Sequence, residues 1–378
     1  MKILIVLGYG FEEQTILNRF DPLINSFLKK GYSVKTLSPG NKKLELTNSK
    51  FEQISMNFKL NKAQSFLGRA FNEIYVIRKL ILEIRKHQSN LTILSAPSMF
   101  LLFLSKKFKS KSILDLRDIT WDYLFSSNKI YRKVIGFFFT KIAKIKLRNF
   151  NYYSCSNAFE ASYLINFMKI EKKKIFIYSN GISSNHLSKL KKISKNKNIN
   201  NNITYAGNVG HAQELTTLIK AAAELPNFKF NIVGNGPKLN NLKRLTIDLK
   251  ISNVFFLNKV QPEDLFKIYE KSLILYGQIA NEYRTAIPSK LYEYLATGKK
   301  VIFAGPSNLN EFTKKFENVY FIEPCNYLLL KNTIENISKK NQLNDTFFRK
   351  KNYKELMNFN REINSTKFIK WIKLNAGI

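Results

Sequence analysis

Short apolar runs alternate with stretches of helical periodicity along most of the chain. Near the start, KILIVLGYG is a continuous apolar run, 15–30 has apolar residues at helical spacing, and YSVKTLS is a second run. A short apolar run predicts a buried strand, and its alternation with helices predicts a parallel sheet covered by helices. The other strands predicted in the first half are 90–96, 112–116, 151–154 and 174–178.

The same pattern begins again after a polar, charged stretch. The second half predicts strands at 203–207, 228–233, 254–257, 272–276, 301–304 and 319–322. Two similar halves predict an α/β fold of two Rossmann-like, doubly wound parallel-sheet domains facing each other across a cleft, at the carboxyl ends of the strands, where such sheets bind ligands. The predicted parts are an N-terminal domain, 1–182, a linker, 183–202, a C-terminal domain, 203–350, and C-terminal helices, 351–378, which can pack back on the N-terminal domain.

Composition fits a globular protein of two domains. The chain has 378 residues, 44% of them hydrophobic, and no stretch approaches the roughly 18 uninterrupted apolar residues of a membrane-spanning helix. MKILIVLGYG lacks a small-residue cleavage site, so we interpret it as a strand and not as a signal peptide, which predicts a cytoplasmic protein. Cys155 and Cys325 lie far apart and predict neither a disulfide framework nor a metal site.

The net charge of +35, from 62 Lys and Arg against 27 Asp and Glu, predicts an anionic partner. Between Asp122 and Glu160 there is no acidic residue, and the cations there are interleaved with apolar side chains. This amphipathic pattern is typical of a helix on an anionic membrane surface, and also of a solvated helix whose apolar side packs on its own domain. Nucleic acid is not the predicted partner, because no zinc-finger spacing, RNA-binding aromatic motif or long basic arm is present.

Three glycine-containing loops follow predicted strands. The first holds Gly8 and Gly10, but Glu13 occupies the third position of G-x-G-x-x-G, so NAD binding is not predicted. These glycines let a substrate approach the backbone or simply form a tight turn. The second loop, GNVGHAQ at 207–213, joins a strand to a helix and favours an anion, with His211 either a phosphate donor or a solvated residue at the helix start. The third, GNGP at 234–237, shapes a pocket or reverses the chain.

The stretch IPSKLYEYLATGKK predicts a short helix that starts at a Ser289 N-cap and ends at Gly298. Lys290 then lies at the amino end, where the helix dipole disfavours a cation unless an anion is bound. Glu293, one turn later, has the two acceptor oxygens that a ribose diol requires. Either residue alone would be an ordinary surface residue, and their joint position predicts a nucleotide site.

The three glycine loops and the helix of IPSKLYEYLATGKK, taken in their order along the chain, resemble the motifs of the family-four retaining glycosyltransferases, which have the GT-B fold. The similarity covers nearly the whole chain and is most specific at 203–304. It implies that the second domain binds a nucleotide sugar and the first an acceptor, with Glu293 on the ribose hydroxyls and the helix amino end on the diphosphate. The other predicted substrate-binding residues are Gly8, Gly10, Asn208, Gly210, His211, Gly234, Gly236, Arg284, Thr285 and Ser289.

The chain departs from the family pattern at several positions. Thr285 stands where the family's E-x7-E pair has its first glutamate, a sugar contact. Asn208 and Gln213 stand where many members have Arg and Lys. The resemblance therefore leaves Lys290 as the diphosphate cation, with Arg284 in reserve.

The implied reaction transfers a glycosyl group to an acceptor hydroxyl with retention, without cofactor or metal. Helix amides and Lys290 would stabilise the leaving diphosphate, and the absence of an Asp-x-Asp motif agrees with metal independence. Lys290 and Asp118 are the predicted catalytic residues. Asp118 follows a strand in LDLRDITW, which resembles the acceptor-side loop, and it either orients or deprotonates the acceptor or has a structural role beside Arg117.

The predicted acceptor is a glycan, linked to a polyprenyl diphosphate, because the basic stretch lies in the acceptor domain. This places the enzyme in bacterial surface polysaccharide synthesis, peripheral on the inner face of the membrane. Two alternatives remain: a sugar-nucleotide epimerase of similar fold, which would need acid and base residues such as Asp118 or His211, and a non-catalytic nucleotide- or nucleic-acid-binding protein.

Overall fold

The computed structural model describes residues 1–56, 66–96, 99–193, 201–339 and 345–377. The chain forms two compact units. The first consists of Met1–Asn180 together with Arg361–Ile378, and the second of Gly181–Asn360. The last residues of the chain therefore return to the first unit after the second has been completed.

The described residues form two parallel sheets. The first unit has seven strands in the order β3-β2-β1-β4-β5-β6-β7, and the second has six in the order β10-β9-β8-β11-β12-β13. The first-unit strands are β1 (Lys2–Leu7), β2 (Ser33–Pro39), β3 (Phe51–Met56), β4 (Leu91–Ala96), β5 (Lys111–Leu116), β6 (Tyr152–Cys155) and β7 (Ile175–Ile177). The second-unit strands are β8 (Asn202–Ala206), β9 (Lys229–Val233), β10 (Val254–Leu257), β11 (Ile274–Gln278), β12 (Lys300–Ala304) and β13 (Val319–Ile322).

Helices cover both sheets, as the alternating pattern predicts. In chain order they are α1 (Gln14–Lys29), α2 (Phe66–Ile84), α3 (Thr120–Phe125), α4 (Ile130–Leu147), α5 (Ala158–Asn166), α6 (Ser184–Ile193), α7 (Thr216–Ala223), α8 (Leu239–Asp248), α9 (Pro262–Glu270), α10 (Ser289–Thr297), α11 (Asn310–Thr313), α12 (Tyr327–Lys339), α13 (Asp345–Met357) and α14 (Arg361–Ala376). Within the described ranges there are also four short 3₁₀ helices: Met99–Lys107, Lys172–Lys174, Asn281–Tyr283 and Ser307–Leu309.

Alternate residues of the first sheet point to two separate cores. Leu4 and Val6 of β1 face a cluster that contains residues of α2, α4 and the 3₁₀ helix Met99–Lys107. Ile3 and Ile5, on the opposite side, face α1 and α14. A strand places successive side chains on opposite faces, so this sheet is buried on both sides, which explains why its strands are continuous apolar runs.

The final helix, α14, completes the first unit. Phe368 stacks on Phe176 and Tyr178 with ring centroids 4.9 and 5.2 Å away. The Tyr178 hydroxyl and the Ser365 Oγ are 2.7 Å apart, and Arg361 Nε donates to the Asn180 carbonyl at 2.8 Å.

Part of the segment predicted as a linker, 183–202, is helical. Helix α6 occupies Ser184–Ile193, because Leu187, Leu190 and Ile193 recur at helical spacing and are buried. Residues 194–200 of the same segment lie outside the described residues.

Candidate active site

Two glycine loops of the second unit pack backbone against backbone. Gly207 N donates to the Val233 carbonyl at 2.9 Å, and Val209 N donates to Asn235 O at 3.0 Å. A β-carbon at Gly234, whose φ is 142°, would lie 1.9 Å from the Gly207 carbonyl oxygen. The glycines therefore permit a backbone approach that no other residue allows.

The same close packing explains two more of the predicted glycines. A β-carbon at Gly236 would lie 2.3 Å from the Val209 carbonyl oxygen, and one at Gly210 would lie 2.4 Å from Asn208 Nδ2. Asn208 is exposed, and its Nδ2 is 3.3 Å from Gln213 Oε1. Gly210 thus lets the Asn208 side chain fold across its own loop.

The loop 207–213 does not run directly into a helix. Helix α7 begins only at Thr216, so His211 is an exposed residue in a turn and the prediction that it lies at a helix start is wrong. Gln278, at the end of β11, holds the end of this loop: its Nε2 donates to Gln213 O at 3.0 Å and to Glu214 O at 2.7 Å. Sequence reasoning missed Gln278, although a glutamine ending a buried strand is an unusual polar residue that could have indicated it.

Helix α10 is attached to the first of these loops. The Tyr294 hydroxyl donates to the Ala206 carbonyl at 3.0 Å and accepts from the Ala206 amide at 2.7 Å. Ala206 directly precedes Gly207, so α10 and the glycine loop are held together at the carboxyl end of β8. This is the edge of a parallel sheet at which ligands bind.

Both ends of α10 fall close to their predicted positions. Gly298 ends the helix in the left-handed conformation, with a φ of 71°, as expected for a glycine cap. At the other end Pro288 occupies the N-cap position and Ser289 is already the first helical residue. The prediction of a Ser289 cap is therefore wrong by one residue, since the fixed φ of Pro288 suits the turn into the helix.

Lys290 and Glu293 form an ion pair on the first turns of α10. Lys290 Nζ lies 2.6 Å from Glu293 Oε2, and the two side chains are 35% and 17% exposed. The buried Tyr269 hydroxyl also donates to Glu293 Oε2, at 3.3 Å. Burial and then the Glu293 charge raise the pKa of Tyr269 well above its ordinary value, so it remains a donor. The lysine at the helix start thus has an anionic partner within its own helix.

Arg284 and Thr285 lie in the segment between β11 and α10. Arg284 is half-buried, and its backbone carbonyl accepts a hydrogen bond from Asn308 Nδ2 at 2.7 Å. Thr285, which stands at the position of the family's first glutamate, is only 5% exposed. A short buried threonine has one hydroxyl with which to bind a sugar, whereas a glutamate has a longer side chain with two acceptor oxygens.

Gly8 and Gly10 lie in the first unit, after β1, where Gly10 makes room for a carboxylate. Glu12 Oε1 accepts from the amides of Asn41 and Lys42 at 2.7 and 2.8 Å. A β-carbon at Gly10 would lie 2.1 Å from Glu12 Oε2 and 2.4 Å from the Pro39 carbonyl oxygen. Gly10 therefore has a structural function in joining the loops after β1 and β2.

Asp118 lies after β5, next to Arg117. Burial raises the pKa of Asp118, and the Arg117 charge opposes that shift. The Tyr123 hydroxyl is 3.4 Å from Asp118 Oδ1. Glu160, at the start of α5, has its pKa raised to about 8 by burial and then by the Asp118 charge. The structure thus places two carboxyl groups of raised pKa near each other at the carboxyl edge of the sheet, and the sequence indicated only one.

A buried ion pair supports this edge. Arg19 of α1 donates to both oxygens of Asp115, at 2.6 and 2.8 Å, and its Nη1 donates to Tyr178 O at 2.7 Å. Ser154 Oγ also donates to Asp115, at 2.6 Å. Sequence reasoning missed this network, although an arginine between Ile16 and Phe20 on an apolar helix face signals a buried partner.

The predicted residues thus fall into two groups. The glycine loops, Asn208 and the Lys290–Glu293 pair belong to the second unit, while Gly8, Gly10 and Asp118 belong to the first. Among the described residues no group of three or more His, Cys, Asp and Glu side chains could hold a metal ion, and no described helix is long and apolar enough to cross a membrane.

Comparison with known proteins gives one family match. Residues 187–355, all within the second unit, match the family model of glycosyl transferases group 1. This is the part of the chain that contains the glycine loops and α10. No curated protein sequence matches the chain.

Solved structures match the chain from end to end. Sucrose-phosphate synthase from Thermosynechococcus elongatus has a TM-score of 0.77 at 14% identity, over 100% of both chains. Anabaena HepE in complex with UDP and glucose has a TM-score of 0.71 at 15% identity, over 98% of both. The lipopolysaccharide outer core galactosyltransferase WaaB has a TM-score of 0.62 at 14% identity, over 98% of this chain and 99% of that chain. The chain has the fold of these GT-B structures, which confirms the predicted fold class, and the family match supports a glycosyltransferase.

Proposed function

We propose that this protein is a retaining glycosyltransferase that moves a hexosyl group from a nucleotide sugar, a UDP-sugar, to a glycan acceptor without a metal ion. The observation that carries the proposal is the group 1 match over 187–355, within which α10 and the Gly207 loop are joined through Tyr294 and Ala206. UDP is the proposed carrier because HepE, of similar fold, is described in complex with UDP and glucose.

The donor site uses the first turns of α10. Amides at the helix amino end bind the diphosphate, since unpaired N–H groups and the dipole both favour an anion there. Glu293 accepts hydrogen bonds from the ribose hydroxyls, and Lys290 turns from Glu293 to the diphosphate. Asn208, Gly210, His211, Gly234 and Gly236 line the same site, together with Arg284, Thr285 and Ser289.

Transfer breaks the bond between the sugar C1 and the diphosphate oxygen and forms a bond between C1 and the acceptor oxygen. Lys290 and the helix amides stabilise charge that develops on the leaving diphosphate. In the first unit Gly8 lets the acceptor approach the backbone, while Gly10 keeps the adjoining loops together, and Asp118 orients the acceptor hydroxyl and accepts its proton. A raised pKa brings Asp118 nearer to the value at which a carboxylate is an effective base.

The acceptor in this proposal is linked to a polyprenyl diphosphate, and the enzyme is peripheral on the inner face of the membrane, in synthesis of a bacterial surface polysaccharide. The net charge of +35 supports an anionic lipid surface as a partner. WaaB, of similar fold, is by its name an enzyme of lipopolysaccharide.

The test is a thermal-shift screen of the purified protein with UDP, GDP, UDP-sugars, GDP-sugars and NAD, repeated with Glu293→Ala. We expect stabilisation by one nucleotide class, which the variant loses. Transfer to a lipid-linked acceptor is then assayed with that donor, and the anomeric configuration of the product is determined by NMR. Stabilisation by no nucleotide would refute the donor site, and binding without transfer would favour a non-catalytic protein.

A further inference from the structure

Helix α4 carries apolar side chains on two sides. Its inner side buries Gly136, Ala143 and Leu147, with Phe139 partly buried against the core. On the opposite side of the helix, Ile130 is 80% exposed and Ile145 is 66% exposed. The other exposed apolar residues of this side are Tyr131, Val134, Phe137 and Phe138. Helix α4 thus packs on its own domain along one side, as one sequence interpretation expects, and leaves a second apolar stripe exposed.

Helix α2 has the same arrangement. Val76, Ile77, Leu80 and Ile84 are buried in the core. Phe71, Ile74, Tyr75 and Leu82 project from the other side of the helix and are exposed, Phe71 to 72%. Phe71, Tyr75 and Leu82 recur at helical spacing with the exposed Arg78 between them, so they form one stripe along the helix. A helix that is apolar on both sides is unusual at a protein surface.

The two stripes lie on helices that pack against the same 3₁₀ helix. Helices α2 and α4 both contact the 3₁₀ helix Met99–Lys107 and cover the same face of the first sheet. Phe103 of that 3₁₀ helix is itself exposed. We name the outward sides of α2 and α4, together with Phe103, the docking face. It holds most of the exposed large apolar side chains found in the described part of the first unit.

Cations are interspersed among these apolar side chains. Lys141 Nζ lies 4.4 Å from the centroid of the Phe137 ring, Lys146 Nζ 4.9 Å from that of Phe103, and Lys79 Nζ 5.7 Å from that of Tyr75. Helix α4 has no acidic residue at all. A partner of this face must therefore accept apolar side chains and supply negative charge, above all opposite α4.

We propose that the docking face binds an anionic lipid bilayer, with α2 and α4 lying in the interface. An apolar helix face bordered by Lys and Arg is the arrangement that inserts shallowly among lipid headgroups. This inference deepens the peripheral location in the proposed function by assigning it to particular residues. It does not require transfer activity, because lipid binding can be measured without any sugar donor.

The test is partitioning of the full chain onto vesicles of equal parts phosphatidylglycerol and phosphatidylcholine, compared with vesicles of phosphatidylcholine alone. We expect binding to the anionic vesicles that weakens as salt is raised, because salt screens exposed charges. Replacing Lys141, Lys144 and Lys146 with Gln, Phe137 and Phe138 with Ser, or Phe71 and Tyr75 with Ser should each lower the partition coefficient about tenfold or more, since charge and apolar insertion act together.

Matched controls come from the exposed surface of the second unit. Replacing Lys229, Lys271 and Lys314 with Gln, or Ile247 and Phe255 with Ser, should leave partitioning unchanged, because these residues lie outside the docking face. Equal binding to neutral vesicles, no binding, or an equal loss in controls and test variants would overturn the proposal. So would a stable dimer in light scattering that dissociates in the Phe137→Ser, Phe138→Ser variant. Vesicle binding without glycosyl transfer would refute the proposed function and leave this inference standing.

Discussion

At the scale of single residues, the Lys290–Glu293 pair determines how the candidate donor site must work. The sequence predicted both residues, because a lysine at a helix start is unfavourable beside the dipole. It could not predict that Glu293 would be the partner of Lys290 at 2.6 Å, since residues three apart on a helix can pair with each other or with a ligand. On the proposed function, a bound diphosphate competes with Glu293 for the ammonium group.

We therefore expect Lys290→Ala to affect turnover more than binding. The loss of one stabilising group at the developing charge should lower kcat by about 10- to 100-fold. The Kd for the nucleotide should change less, because Glu293 remains to hold the ribose. Steady-state kinetics and calorimetric titration measure the two effects. A Kd that rises as much as kcat falls would show that Lys290 acts in ground-state binding.

Glu160 gives a prediction about pH. Burial raises the pKa of Glu160 to about 8 in the folded protein from an ordinary value of 4.5, so between these two pH values the folded chain holds a proton that the unfolded chain releases. The free energy of unfolding should therefore fall as pH rises through this window. Glu160→Gln should flatten that fall, because a glutamine has no proton to lose in this range. The substitution should also keep the local hydrogen bonds, since the amide oxygen can still accept from Ser156 N and Oγ, as Glu160 Oε2 does at 2.6 and 2.8 Å.

Melting curves of wild type and Glu160→Gln between pH 5 and pH 9 check this, with the exposed Glu224→Gln as the control. We expect the control to follow the wild-type curve. Parallel curves for wild type and Glu160→Gln would mean that Glu160 is ionised in the folded protein throughout the range.

At the scale of elements, the sequence predicts where helices and strands lie better than it predicts which side of a helix is buried. Strand β8 and helix α10 fall within a residue or two of their predicted limits because an apolar run, Pro288 and Gly298 define them. The inward side of α4 could not be predicted from its apolar residues. The helix packs on the core through Ala143 and Leu147 and approaches the chain closely at Gly136, where a β-carbon would lie 2.3 Å from the Phe125 amide nitrogen. Side-chain size alone therefore does not select the buried side.

The glycine loops give a test at this scale. Gly234→Ala should lower the free energy of unfolding by well over the ~1 kcal/mol that a left-handed backbone costs an alanine. Its β-carbon would be forced to within 1.9 Å of the Gly207 carbonyl oxygen, which is backbone and cannot rotate away. The matched control is Gly31→Ala, which also has a positive φ, 82°, but meets no atom closer than the flexible Lys50 Nζ at 4.0 Å. If urea unfolding gave the same loss of unfolding free energy for both variants, backbone strain alone would account for the effect of Gly234→Ala.

At the scale of the whole molecule, the sequence predicts two parallel-sheet halves but only partly predicts which parts of the chain compose each. The repeated strand and helix pattern suffices for the two sheets. The membership of α14 depends on contacts between residues nearly 200 positions apart, such as Phe176 with Phe368, and these have no local pattern. Arg19 with Asp115 is a similar case within the first unit.

Because α14 lies in the first unit, a change in it should weaken that unit and spare the second. Phe368→Ala removes a buried ring that stacks on Phe176 and Tyr178, a loss of about 3–5 kcal/mol for a core aromatic. Hydrogen exchange should then quicken in peptides of β1, β7 and α1, whose core Phe368 shares or borders, and not in those of β8 to β13. The matched control, Leu330→Ala, removes a buried side chain from the core of the second unit and should produce the opposite pattern. Faster exchange in both units with either variant would mean that they unfold as one cooperative body, and the division of the chain into two units would then have no counterpart in stability.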